Sequence, residues 1–123
     1  MSPLKIAESE WQVMMVVWAQ APVTASDVVE ALNQQRGWKP RTTRTLLDRL
    51  VRKKALKFNS DLRPGQYEPL VTMSQAIRTE SQSFVERVFA GEPVSMLLHM
   101  VSQTRLSRED IKKLREILSE KEK

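Results

Sequence analysis

The sequence predicts a mainly α-helical protein carrying one small β-hairpin. Three observations lead there. Glycine is scarce, with 3 in 123 residues, and runs of β-branched residues are few. The stretch Pro40 to Lys54, PRTTRTLLDRLVRKK, divides on a helical wheel into one apolar and one cationic arc. Directly after it, two short and partly alternating segments flank a turn.

The first helix is expected over Ala7 to Ala19, where Trp11, Met14, Met15 and Trp18 recur at i, i+3, i+4, i+7 and read as a core stripe. Ala21-Pro22 breaks the chain. Thr24 opens a second helix, with Asp27 in the place where a capping box usually has Glu. Val28, Val29 and Leu32 give that helix an apolar face up to about Gln35. Arg36 to Pro40 is then a turn, in which Gly37 ends one helix and Pro40 starts the next. Two short helices joined by a tight turn are the helix-turn-helix layout.

At about 100° per residue, the third helix puts Thr43, Leu46, Leu47, Leu50 and Val51 on one side. Arg41, Arg44, Thr45, Asp48, Arg49 and Arg52 take the other, and Lys53, Lys54 and Lys57 continue the positive run. Most charged stripes are simply solvated faces. Here eight cations and the single anion Asp48 lie between Lys39 and Lys57, so pairing along the helix is not the purpose of the charge. Arg, Thr and Asp also reach both phosphates and base edges. The stripe predicts a helix that binds nucleic acid. Duplex RNA is disfavoured, because its deep, narrow major groove does not admit such a helix.

Ala55 to Phe58 and Gln66 to Val71 flank Asp61-Leu62-Arg63-Pro64-Gly65, which has turn chemistry. A hairpin after the third helix makes a winged helix-turn-helix. Pro69 predicts that its strand is an edge. Arg63, near the hairpin tip, is a candidate phosphate contact.

Thr72 or Ser74 caps a fourth helix running to about Ala90, lined by Ile77, Phe84, Val85, Val88 and Phe89. Gly91-Glu92-Pro93 stops it, and Pro93 starts a short fifth helix carrying Met96, Leu97, Leu98, Met100 and Val101. Ser107, with Asp110 three residues on, caps the last helix, whose stripe is Ile111, Leu114, Ile117 and Leu118; the tail from Glu120 is expected to fray. About 50 residues in three helices enclose a core poorly, and such an extension often completes its core with a second copy of itself. The expected organisation is therefore a winged helix-turn-helix DNA-binding domain over residues 1–72 and a helical dimerisation domain over 73–123. Phe84, Val88, Met96, Met100, Ile111, Leu114 and Leu118 are the expected dimer contacts. The alternative is that these helices fold back onto the winged domain of their own chain.

Charge agrees with an anionic partner: the net charge is +5. It is concentrated in residues 1–72, with 11 cations against 7 anions, whereas residues 73–123 hold 9 against 8. No cysteine is present, so disulfides and thiolate metal sites are excluded. No apolar run approaches the ~18 residues of a membrane span, and the N-terminus lacks a signal-peptide pattern. A cytoplasmic protein is expected, with neither cofactor nor metal. An enzyme is disfavoured. The single histidine, His99, lies on an apolar segment, and there is no glycine-rich phosphate loop or clustered His/Asp/Glu set. Met14, Met15, Met96 and Met100 fit core stripes rather than a metal sensor.

The sequence resembles the bacterial penicillinase repressor family, of the BlaI/MecI type and related to the CopY-type copper repressors. The resemblance is densest at Glu10-Trp11-x-Val13-Met14 with Trp18, and at Trp38-x-Pro40-x-Thr42-x-Arg44-Thr45-Leu46-Leu47-x-Arg49-Leu50. It continues at Leu106-Ser107-x-x-x-Ile111 with Leu114-Arg115-x-Ile117-Leu118. It implies a homodimeric repressor whose recognition helix enters the major groove of a pseudo-palindromic operator. The matching positions are Arg41, Thr42, Arg44, Thr45, Asp48 and Arg49. Asp48 stands where related repressors often carry a neutral residue; it could accept from a cytosine amino group or pair with Arg44 or Arg52. In the family's β-lactam resistance branch, a membrane sensor leads to cleavage at an Asn-Phe bond by a sensor-linked protease. The matching pair here is His99-Met100, within an apolar context that does match. The copper branch uses a cysteine-rich tail; with no cysteine up to Lys123, that mechanism is not expected here. The alternative within the same family is release by a small-molecule ligand or other signal.

Overall fold

The structure, a computed structural model, describes residues 4–123. Six helices and three strands follow one another: α1 Glu8–Gln20, β1 Val23–Thr24, α2 Ala25–Arg36, α3 Pro40–Arg52, β2 Leu56–Asn59, β3 Gln66–Pro69, α4 Met73–Val88, α5 Pro93–Gln103 and α6 Arg108–Lys121. They form two compact units, one ending at Ser81 and the other spanning Gln82–Lys123.

In the first unit, local signals set the helix ends. Thr24 Oγ1 accepts from the Asp27 N–H at 3.1 Å while Asp27 Oδ2 accepts from the Thr24 N–H at 3.0 Å, a reciprocal cap. Gly37 ends α2 at φ 68, a left-handed conformation that glycine adopts without a Cβ clash. Asn33 Nδ2 donates to the Trp38 carbonyl at 3.1 Å and holds the turn into α3. Pro40 is the first residue of α3, where its missing N–H costs nothing. Thr72, not Ser74, caps α4, its Oγ1 accepting from the Gln75 N–H at 3.0 Å.

The three helices bury Val13, Met14, Val17, Val28, Leu32, Leu47 and Leu50 almost completely. Of the expected α1 stripe, Met14 is in this set and Trp11, Met15 and Trp18 are not. Met15 is 48% exposed, and Val13, Val16 and Val17 occupy the inward face of α1 instead. Trp11 and Trp18 stay half-buried at its flank, edge to face with ring centroids 5.6 Å apart. Trp18 Nε1 donates to the Val71 carbonyl at 2.9 Å, tying α1 to the chain that leaves the wing. Ala76 of α4 joins this core.

The wing is a three-stranded antiparallel sheet of order β1-β3-β2 rather than a hairpin alone. β1 has only two residues, Val23 opposite Tyr67 and Thr24 opposite Gln66. So short a strand leaves no alternation to detect in a sequence. β3 is accordingly the middle strand, which corrects the expectation drawn from Pro69. Pro69 pairs with Leu56 of β2 and lies beyond the reach of β1, so the absent N–H faces no strand on that side.

In the second unit, Pro93 starts α5, and Ser107 Oγ accepts from the Asp110 N–H at 3.0 Å to cap α6. α6 continues through Lys121, so Glu120 and Lys121 are helical where fraying was expected. Val85 is buried, and Phe89 lies 5.9 Å from Phe84 and 6.1 Å from His99, centroid to centroid. Neither α5 nor α6 buries any residue fully. Leu98 is 68% exposed and Leu118 60%.

Candidate nucleic-acid interface

α3 carries the site, and its two arcs fall as its sequence requires. Thr43, Leu46, Leu47 and Leu50 are buried, anchoring one face in the core. Arg41, Thr42, Arg44, Thr45, Asp48, Arg49 and Arg52 are all exposed on the other. A helix held by four buried side chains presents the opposite residues as a fixed row, which is what a groove-binding helix needs.

Among the described residues, no cation lies within 4 Å of Asp48, so the suggested pairing with Arg44 or Arg52 is not made. The carboxylate is sensed instead by Tyr67 of β3. Burial pushes the Tyr67 phenol above its ordinary pKa, the Asp48 charge adds to the rise, and Arg44 opposes it. The middle strand of the wing thus brings the chain's single tyrosine into the field of α3's exposed face.

The expected phosphate contacts separate on inspection. Arg52, Lys54 and Arg63 are exposed. Lys53 is turned inward: its Nζ lies 2.6 Å from Glu10 Oε1 and also donates to the Lys5 carbonyl at 3.0 Å. Glu10, almost wholly buried, accepts a further bond from the Ala7 N–H at 2.8 Å. Its Oε2 has no hydrogen-bond partner among the described residues. Lys53 is engaged in holding α1, because a buried carboxylate without a partner is costly. Pattern reasoning missed Glu10 because it sits on a helix whose apolar stripe dominates, and no local signal pairs it with Lys53. Lys39 and Lys57 are exposed at either end of the α3 region and extend its positive surface.

At the wing tip, Asn59 Oδ1 accepts from the Asp61 N–H at 3.1 Å, and Arg63 is carried on the exposed turn. A Cβ on Gly65 would run into the Phe58 ring and displace it. Phe58 in turn lies against Tyr67, centroids 4.8 Å apart. Among the described residues no group of three or more His, Cys, Asp or Glu side chains could hold a metal ion, and no helix is long and apolar enough to cross a membrane. Of the expected dimer contacts, Phe84, Val88, Met100, Ile111 and Leu118 are exposed, while Met96 and Leu114 are half-buried.

Comparison with known proteins agrees with this arrangement. A family model described as penicillinase repressor matches residues 6–120. A methicillin resistance regulatory protein MecI from Mammaliicoccus sciuri is 34% identical over 117 residues, covering 95% of each chain. A penicillinase repressor from Bacillus licheniformis is 34% identical over 116 residues, covering 94% of this chain and 91% of the relative. The solution structure of monomeric Bacillus licheniformis BlaI with the blaP half-operator superposes with a TM-score of 0.54 at 30% identity, covering 61% of this chain and 93% of that one. A solution structure of the DNA-binding domain of the repressor BlaI matches equally well and identifies the N-terminal unit as a winged helix. These relatives are transcriptional repressors, not enzymes. The chain belongs to the penicillinase repressor family.

Proposed function

We propose that this chain represses transcription by binding a pseudo-palindromic operator as a homodimer, with residues 1–72 carrying DNA recognition and 73–123 the dimer contacts. The observation that carries the reading is α3: one face locked into the core and the other a nearly single-signed row of Arg and Thr. Arg41, Thr42, Arg44, Thr45 and Arg49 are the base-reading set, and Arg52, Lys54 and Arg63 meet phosphates. Asp48, with no cation within 4 Å among the described residues, accepts a hydrogen bond from a cytosine amino group. Lys53 drops out of the phosphate set because its ammonium is held by Glu10.

The homodimer reading is supported by the apolar surface of α5 and α6, which a single copy leaves exposed. In its relatives' setting the signal is β-lactam, and the matching step is cleavage at His99-Met100 by a sensor-linked protease. Both residues are exposed on α5. A second reading, release by a small-molecule ligand, is favoured by one observation: the scissile Asn-Phe pair of the family is replaced here by His99-Met100. The function is tested by selecting duplexes from a random pool with the full chain. A two-fold symmetric consensus with half-site centres about one helical turn, or a multiple, apart is expected. Recovery of no consensus would remove the reading.

A further inference from the structure

The end of α3 closes in a backbone geometry suited to glycine and holds a lysine in it. Lys54 has φ 66, the left-handed region. Its N–H donates to the Val51 carbonyl at 3.0 Å, and the next N–H, of Ala55, donates to the Leu50 carbonyl at 2.9 Å. That pair of bonds is the closure by which a helix ends on a left-handed residue, most often glycine. A side chain there brings Cβ against the neighbouring carbonyl. The turn is not optional. Ala55 and Leu56 are both fully buried immediately after it, and the Ala55 carbonyl accepts from the Leu70 N–H at 2.8 Å, so the chain must reverse at Lys54 to enter β2.

The fold fixes the turn but gives the lysine side chain no partner. Lys54 is exposed, and among the described residues no carboxylate lies within 4 Å of its ammonium. Its neighbour is the opposite case, since Lys53 is bound to buried Glu10. Of two adjacent lysines at the end of α3, one holds the fold together and the other is offered to solvent at the end of the cationic face. A side chain that the fold does not need, kept at a strained position, is characteristically retained where function uses it.

We infer that Lys54 is a phosphate anchor occupying a glycine position, adding sequence-independent DNA affinity to a fold that would be more stable without it. The inference rests on the DNA-binding reading of α3 and assigns a particular residue to the non-specific part of that binding. It predicts opposite responses of stability and affinity to one substitution.

The test compares the full-length wild type with K54G, K54Q and R44A. Unfolding is followed without DNA, and binding to the selected operator and to a mixed-sequence duplex is followed across a range of potassium chloride concentrations. K54G, which removes both strain and charge, should raise the unfolding midpoint by about 2–6 °C. K54Q, which removes only the charge, should leave it near wild type. Both should lower the log–log salt slope by about 0.9 per bound chain and weaken binding by roughly fivefold per contact near physiological salt. An unchanged or lowered midpoint in K54G would show that Lys54 is unstrained and overturn the inference. So would an unchanged salt slope in K54G and K54Q while R44A binds the selected operator more weakly, and in that case DNA binding by α3 would stand. A wild type without salt-dependent binding would remove both.

Discussion

Lys53 and Glu10, 43 residues apart in the chain, meet at 2.6 Å and join the end of α3 to the first turn of α1. The lysine is partly exposed and the carboxylate buried, so the pair is asymmetric. Removing the lysine strands a charge in the core, whereas removing the carboxylate frees an ammonium that water can solvate. Lys53→Ala should therefore destabilise the N-terminal unit by about 3 kcal/mol, and Glu10→Gln by less. Urea unfolding of both variants checks the order. Equal losses would mean that the interaction is not governed by burial of the carboxylate.

Arg44 is expected to read base edges. Arg44→Ala should cost about 1–3 kcal/mol per half-site on the selected operator and relax preference at particular base pairs. Titration against operator and scrambled duplexes separates the two roles. The same loss on both would make Arg44 a phosphate contact instead.

The single tyrosine provides a spectroscopic report on the α3 face. Its phenol is raised by burial first, then by Asp48, against the opposing charge of Arg44. Asp48→Asn should lower the phenolate midpoint in an ultraviolet titration, and Arg44→Ala should raise it further. Because the folded-state value lies above the unfolded one, the neutral phenol's contribution to stability is fully present below the unfolded value. It is lost as pH rises through the folded value, so the effect is confined to alkaline solution. A rise in Asp48→Asn, or a fall in Arg44→Ala, would contradict this placement of Tyr67.

The exposed apolar residues of α5 and α6 should be covered in solution by a second copy. Sedimentation at micromolar concentration is expected to give a dimer, and Leu118→Glu to shift it toward monomer without unfolding the winged unit. A cut after Ser81 should leave a folded, weakly binding monomer, since it keeps Ala76 in the core. A monomeric full-length chain would end the dimer proposal.

Cleavage, if it releases this repressor, should fall between Leu97 and Val101. Mass spectrometry of protein from induced cells would then show fragments ending in that window. Intact mass under full induction would favour the ligand-controlled alternative.

The helices and their caps are legible in the chain because their signals are local. Thr24 with Asp27, Ser107 with Asp110, and Pro40 and Pro93 at helix starts lie within one turn of what they stabilise. The α3 face is legible for the same reason: thirteen residues at 3.6 per turn place Arg41 and Arg52 opposite Leu50 whatever surrounds them. Tertiary packing decided what no window of sequence contains. Met15 lies outside the core because the sides of α1 met by α2 and α3 bury Val13, Val16 and Val17. β1 exists only because β3 offers Val23 and Thr24 a partner 42 residues or more away, and that pairing makes β3 central. Lys53 and Lys54 look interchangeable as residues. One faces a buried carboxylate brought from α1, and the other takes a left-handed turn forced by the burial of Ala55. Periodicity and capping act within a turn of helix, whereas burial and ion pairing depend on which distant segment arrives, and only the folded chain specifies that.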